Sequence, residues 1–373
     1  MKELETLAQL EAHVAAGLPF QDVVLQGLDL TAAVPRLMQA DLRGAAFLGC
    51  EMPAGLRERA LNAGALVFPP LPGLPYHPYR AALYTAEELY GGFDPDQPGT
   101  YPQTLDARVY AHWHRTQGPS PDSILETLAR RLHDHAITDA LEETIAGRRV
   151  IAIMGGHGLS RAEPGYAEVA RISRALTRKG AFMASGGGPG AMEATHLGAF
   201  LATVDDDALG PAQALLAEAP RYSDPGWLAQ AFRVMARHPY QGAEDRAARA
   251  SLGIPTWLYG HEPPAPFATH IAKYFANSVR EDGLLTIARG GVVFSPGSAG
   301  TIQEVFQDAC QNHYETPGVA SPMIFLGVEY WTRTKPVYPL LVALAEGKPY
   351  AQWLRITDDP DEVVEVLEAY AAR

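Results

Sequence analysis

The chain has 373 residues, 47% of them hydrophobic and 9% aromatic, enough for one large packed domain with a smaller companion. Its formal net charge of −13 repels polyanions, and without a local basic patch this argues against nucleic-acid polymers and anionic membrane surfaces as partners, leaving small anions held at loops and helix ends. Cys50 and Cys310 lie far apart, outside any CxxC or Cys/His cluster, so they read as buried thiols rather than a disulfide framework or structural zinc site.

The first residues, MKELETLAQLEAHVAAG, are acidic and amphipathic, unlike a signal peptide. No window approaches the roughly 18 uninterrupted apolar residues of a membrane span, and the expected location is cytoplasmic. VVLQGLDL and ADLRGAAFLGCEM alternate like short strands. The pair ADLRG and AAFLG is pentapeptide-like, but two units do not establish a repeat, and a small mixed α/β domain is expected. Dense Pro and Gly between Pro69 and Pro121 mark a loop-rich junction, which suggests an N-terminal domain over 1–115 and a main domain over 116–373.

An amphipathic helical pattern from Asp122 to Ala146 opens a regular alternation. Apolar runs fall at 150–156, 181–187, 252–260, 290–297 and 322–327, and helical segments separate them, including ATHIAKYFANSVRE at 268–281 and TIQEVFQDACQNH at 301–313. Runs without polar alternation, joined by helices, predict a doubly wound parallel sheet of Rossmann-like α/β type. Residues 203–250 read as a helical insert near the carboxyl edge of the sheet, where a lid and an oligomer contact are both open readings.

Three small-residue turns follow predicted strands. MGGHGLSR places Gly155 and Gly156 at the end of the first, but it lacks the full GxGxxG fingerprint and any GK[ST] phosphate loop. SGGGPGAMEA places Gly186, Gly187, Gly188, Gly190 and Met192 where the backbone can approach a ligand and a helix start favours an anion. SPGSAGTIQE ends a strand at Gly297, leaves room at Ser298, Ala299 and Gly300, and sets Thr301 and Glu304 one helical turn apart. That spacing matches a capping box as well as a site. Arg280 is expected at the carboxyl end of its helix, where a cation is electrostatically favoured. His157, His270 and His313 read mainly as structural, with His157 nearest the carboxyl edge. Trp257 and Tyr259 read as core packing or as a stacking surface for a base.

The paired GGGPGAMEA and PGSAGTIQE motifs, with an arginine upstream of the second, resemble the Lonely Guy (LOG) family, formerly labelled lysine decarboxylases, over roughly residues 148–350. FSPGSAGTIQEVFQDACQNHYE is closer to the family's larger bacterial nucleotide 5′-monophosphate nucleosidases. The resemblance implies hydrolysis of the N-glycosidic bond of a nucleoside monophosphate to free base and ribose 5-phosphate, without metal or redox cofactor. It implies Arg280 and Glu304 as catalytic residues, Gly297, Gly300 and Thr301 as the phosphate turn, and the 186–192 turn as the second nucleotide contact. It also implies a homodimer or a tetramer. The sequence departs from the family pattern at Ser298 (glycine), Gln303 (a carboxylate) and Glu281 (lysine in short members). The alternative is a non-catalytic nucleotide-binding sensor or carrier with the same pocket.

Overall fold

In the computed structural model, which describes residues 2–316 and 318–373, the chain forms two units: Met1–Leu83 with Ser120–Glu142, and Tyr84–Pro119 with Glu143–Arg373. Where the sequence suggests a single boundary after 115, the chain crosses between the units after Leu83, Pro119 and Glu142.

The first unit holds a parallel four-stranded sheet in the order β1 (Lys2–Leu4), β2 (Val23–Gln26), β3 (Ala46–Leu48) and β4 (Leu66–Phe68). Helix α1 (Leu7–Ala15) starts on a capping box in which Thr6 and Gln9 satisfy each other's backbone N–H groups. Leu4, Leu25, Leu30, Phe47 and Leu56 form the core. The two pentapeptide-like units thus belong to a sheet with helical connections. Cys50 is buried here as expected, whereas Cys310, in the second unit, is exposed on its helix.

In the second unit the apolar runs become β5 (Val150–Met154), β6 (Phe182–Ser185), β7 (Ser251–Gly253), β9 (Val292–Phe294) and β10 (Met323–Leu326). Every residue of these strands is buried, which is why their sequences lack polar alternation. Two edge strands complete the sheet, β8 (His270–Ile271) and β11 (Leu354–Thr357), in the order β11-β10-β9-β5-β6-β7-β8, all parallel. The doubly wound expectation holds. The chain runs outward from β5 to β8, returns to the other side of β5, and runs outward again from β9 to β11. The carboxyl ends of β5 and β9 therefore form a topological switch point, the crevice where open α/β sheets bind ligands.

The helices that carry the site are α2 (Pro164–Arg178), α3 (Ala191–Phe200), α4 (Asn277–Ile287) and α5 (Ala299–Tyr314). The insert is helical as expected, with helices at Leu209–Leu216, Trp227–Arg237 and Ala243–Ala248.

The helix expected over 268–281 is corrected: its first half is extended. β8 pairs with β7, Thr256 bridges Tyr274, and α4 starts only at Asn277. The cause lies in Lys273, fully buried, whose ammonium donates to the equally buried Asp106 carboxylate and sits 3.8 Å over the Trp257 ring. Burial pushes the Lys273 ammonium below its ordinary pKa while Asp106 opposes the shift. A charge held this way fixes the segment in a position that local helix propensity does not reveal.

Lys273→Met strands Asp106 in the interior and is expected to destabilise the chain by about 3–5 kcal/mol in urea unfolding. Lys273→Met combined with Asp106→Leu should recover most of that loss. A single variant within about 1 kcal/mol of the parent would show that the pair does not anchor the segment.

Candidate active site

At the switch point the backbones of two turns nearly touch. Gly156 N–H donates to Pro296 O at 3.1 Å, and a Cβ on Gly297 would lie 3.0 Å from Gly156 N and 2.1 Å from Thr301 Oγ1. A Cβ on Gly155 would meet Ser295 Oγ at 2.0 Å. Gly155 and Gly297 are thus required by close approach, and a Cβ on Gly156 would be tight, 3.3 Å from Gly297 Cα and Pro296 O. The third turn meets them from the other side. Gly190, at φ +69°, leads into α3, where Ala191 N–H donates to Gly156 O, and a Cβ on Gly190 would lie 2.4 Å from that same oxygen.

These turns border a cleft of about 220 Å³. Of the residues singled out in the sequence, Gly155, Gly156, Gly186, Gly188, Met192, Arg280, Ser298, Gly300, Thr301 and Glu304 line it. Gly187, Gly190 and Gly297 are buried behind the lining and shape the turns, while Ala299 is exposed at the start of its helix, outside the lining. Gly187, for instance, at φ +74°, packs against the backbone between Gly253 and Pro255.

The capping-box reading of Thr301 and Glu304 does not hold. Helix α5 begins at Ala299 with Ser298 as its N-cap, and no side chain caps it among the described residues. The first bonded amide there is Ile302, donating to Ser298 O at 3.0 Å, so the N–H groups of Ala299, Gly300 and Thr301 have no acceptor among the described residues. Three free donors at the positive end of a 16-residue helix give that end the chemistry to accept an anion.

Glu304, one turn further in, faces Arg280 instead, with Arg280 Nη1 3.4 Å from Glu304 Oε1; the side chains are 11% and 13% exposed. Arg280 is in the first turn of α4 rather than at its carboxyl end, because the preceding residues are extended. A cation there opposes the helix dipole. What holds it is the Ile254 carbonyl, which accepts from Nε at 2.9 Å, together with Glu304. Burial raises the Glu304 carboxyl above its ordinary pKa, Arg280 pulls it down, and Glu281 raises it further. Glu281 and Gln303, both departures from the family pattern, bond to each other at 2.8 Å, and Glu281 also accepts from Asn277 at 2.6 Å.

Behind the cleft, Glu193 of the GAMEA segment is fully buried and takes a bidentate contact from Arg161 and a hydrogen bond from Tyr166. Arg161 also donates to the carbonyls of Ala219 and Trp227, which ties the loop after β5 to the insert. Tyr222 of the insert lies with its ring 6.0 Å from that of half-exposed His157, which lines the cleft. Trp257 is fully buried and belongs to the core; Tyr259 is 46% exposed and lines the cleft. His270 is on β8, where burial pushes its imidazole down to about 4. Glu262, also in the lining, was not singled out in the sequence, because HEPPAP carries no motif and its place depends on how the loop after β7 folds back. Among the described residues, no cluster of three or more His, Cys, Asp or Glu could hold a metal, and no helix is long and apolar enough to cross a membrane.

No family model matches the chain, and no curated protein matches it. Solved structures similar to it include the molybdenum cofactor binding protein from Rippkaea orientalis, at 14% identity and TM-score 0.37, covering 60% of this chain and 98% of that one. The molybdenum cofactor carrier protein of Chlamydomonas reinhardtii is similar at 13% identity and TM-score 0.37, over 61% of this chain and 99% of that one. A further structure of a Chlamydomonas carrier gives 14% and 0.38, over 60% and 98%. Likeness at this level carries no argument about ligand or activity.

Gly190→Ala forces a positive φ on alanine and drives its methyl into Gly156 O, so it is expected to cost about 2–4 kcal/mol of stability. At Gly300 a Cβ meets nothing within 4 Å. Gly300→Ala should leave the melting temperature unchanged or slightly raised, since alanine is the better helix former by about 1 kcal/mol. Equal losses in the two variants by thermal unfolding would contradict this assignment of roles.

Proposed function

We propose that the cleft binds a nucleoside 5′-monophosphate and hydrolyses its N-glycosidic bond, releasing the free base and ribose 5-phosphate. The observation that carries this reading is the placement of the Arg280–Glu304 pair one turn from the free N–H groups of α5. One helical turn is about 5.4 Å, so a 5′-phosphate on those donors sets the ribose beside the pair. The sequence resemblance to the larger LOG-type nucleosidases supports the same reading.

In this mechanism the phosphate accepts from the N–H groups of Gly300 and Thr301, the free donors whose residues line the cleft, which fixes the sugar without using a cationic side chain. As the C1′–N bond lengthens, its electron pair passes to the base and positive charge develops on the ribosyl ring. The Glu304 carboxylate stabilises that charge and takes a proton from the water that attacks C1′. The departing base takes up, at the nitrogen that held the sugar, the equivalent of the proton that Glu304 removed from water, which restores the carboxylate. Arg280, held on Ile254 O, offsets negative charge as it develops on the base.

A second reading, a non-catalytic sensor or carrier of a phosphorylated ligand, keeps the same anion site. The observation that favours it in this chain is that Glu304 has an architectural use without hydrolysis, as the partner that holds Arg280 at the wrong end of a helix dipole.

Incubation of the purified chain with AMP, GMP, CMP, UMP and IMP, followed by chromatography, separates the two readings. Hydrolysis predicts free base, with a loss of at least about 100-fold in Glu304→Gln. Tight nucleotide binding with no base released would leave the carrier reading. The ionised form of Glu304 is the active one and its pKa is raised, so kcat/KM should rise with pH on an acid limb above 4.5 and reach a plateau once the carboxyl has ionised. A rate that falls as pH rises through that limb would contradict the role of Glu304 as a base.

A further inference from the structure

Three carboxylates line the cleft: Glu262, Glu281 and Glu304. Two are occupied. Glu304 faces Arg280, and both oxygens of Glu281 accept from side-chain amides, those of Asn277 and Gln303. Glu262 differs. Its side chain is only 13% exposed, yet its carboxylate accepts no hydrogen bond among the described residues. The nearest cationic candidates, His157 Nδ1 and His261 Nε2, are each 3.9 Å from Oε1, beyond hydrogen-bond reach. The other oxygen, Oε2, points at the glycine turn, 3.4 Å from where a Cβ on Gly188 would be. At that distance the oxygen would be in ordinary van der Waals contact with a Cβ on the glycine turn. A partly dehydrated carboxylate without a donor is costly, and a ligand that brings donors removes the cost.

The position of Glu262 along the cleft follows from a chain of contacts. Arg280 Nη2 lies 2.3 Å from the Cβ position of Gly186, Met192 spans from Gly186 to Gly188, and Glu262 Oε2 comes next. If the phosphate is on α5 and the ribose beside Arg280 and Glu304, the base extends over Gly186 and Gly188 toward Glu262. Tyr259, 46% exposed in the same lining, supplies a ring face for it.

We infer that Glu262 reads the hydrogen-bond donors on the edge of the base and so makes guanine the preferred base of the site. This rests on the nucleotide-binding reading of the cleft. Guanine presents N1–H and the N2 amino group side by side, a pair of donors that one carboxylate accepts together. Hypoxanthine keeps N1–H and loses the amino group. Adenine sets its amino group beside an N1 lone pair, which a carboxylate oxygen repels, and uracil sets its single N3–H between two carbonyl oxygens. The chemistry therefore orders the purine nucleotides as GMP over IMP over AMP. Glu262 is a specificity residue, remote from the bond that breaks.

The experiment is isothermal titration of the full chain with GMP, IMP and AMP, repeated on Glu262→Gln and Glu262→Ala, with chromatography of each mixture to count intact nucleotide. The inference expects GMP to bind at least about tenfold more tightly than IMP, and both variants to bring the two within about threefold. The ratio is internal to each protein, so a general loss of affinity in one variant does not obscure it. Equal binding of GMP and IMP by the parent chain, or a preference that survives in both variants, overturns the role of Glu262 and leaves the nucleotide site standing. Failure of the parent chain to bind any of the three overturns the nucleotide reading and this inference with it.

Discussion

The site depends on how closely the ends of β5 and β9 approach each other. Neighbouring parallel strands must diverge into helices on leaving the sheet, and here they do so through turns whose backbones are in contact, Gly156 N–H donating to Pro296 O. A methyl group at Gly155, Gly156 or Gly297 would push the turns apart. Helix α5 starts at Ala299 with no side-chain cap among the described residues, and Gly300 and Thr301 of its first turn line the cleft. Electrostatic consequences follow from this steric one. In a chain of net charge −13 the field that a small anion would feel there is local, set by N–H groups without acceptors among the described residues at the helix start.

Arg280 and Glu304 are each poorly placed alone. The guanidinium sits at the positive end of α4, and the carboxylate is largely dehydrated. Each offsets part of the other's cost, and the Ile254 carbonyl aims the arginine across the cleft. At 3.4 Å the pair is looser than the usual 2.7–2.9 Å of a charge-assisted hydrogen bond, which leaves both groups able to engage a ligand. The tighter bidentate pair, Arg161 with Glu193, lies behind the cleft, where its guanidinium is spent on two insert carbonyls and its role is to hold the walls.

What could be read without coordinates was whatever depends on local pattern. The strands at 150, 182, 292 and 323 announce themselves because burial on both faces removes all polar alternation, and the glycine turns because close backbone approach excludes side chains. What depended on distant partners stayed hidden. Residues 268–276 carry a helix-compatible pattern and become extended through Lys273 and its contact with Asp106, 167 positions away. That shift moved Arg280 from the end of a helix to its start. Thr301 and Glu304 have capping-box spacing, but α5 begins three residues earlier than a Thr301 N-cap would require, and Glu304 turns to Arg280. The edge strands β8 and β11 are short and carry no continuous apolar run. Glu262 gave no signal, since HEPPAP carries no motif and its place in the cleft depends on how the loop after β7 folds back.

The most direct measurement is a crystal structure of the Glu304→Gln chain soaked with a nucleoside monophosphate, in which hydrolysis is slowed and the ligand stays intact. The account predicts the phosphate on the N–H groups of Gly300 and Thr301, C1′ facing residue 304, and the base over Gly186 and Gly188. A phosphate seated at the Glu262 end of the cleft, or a nucleotide bound away from the β5–β9 switch point, would contradict it.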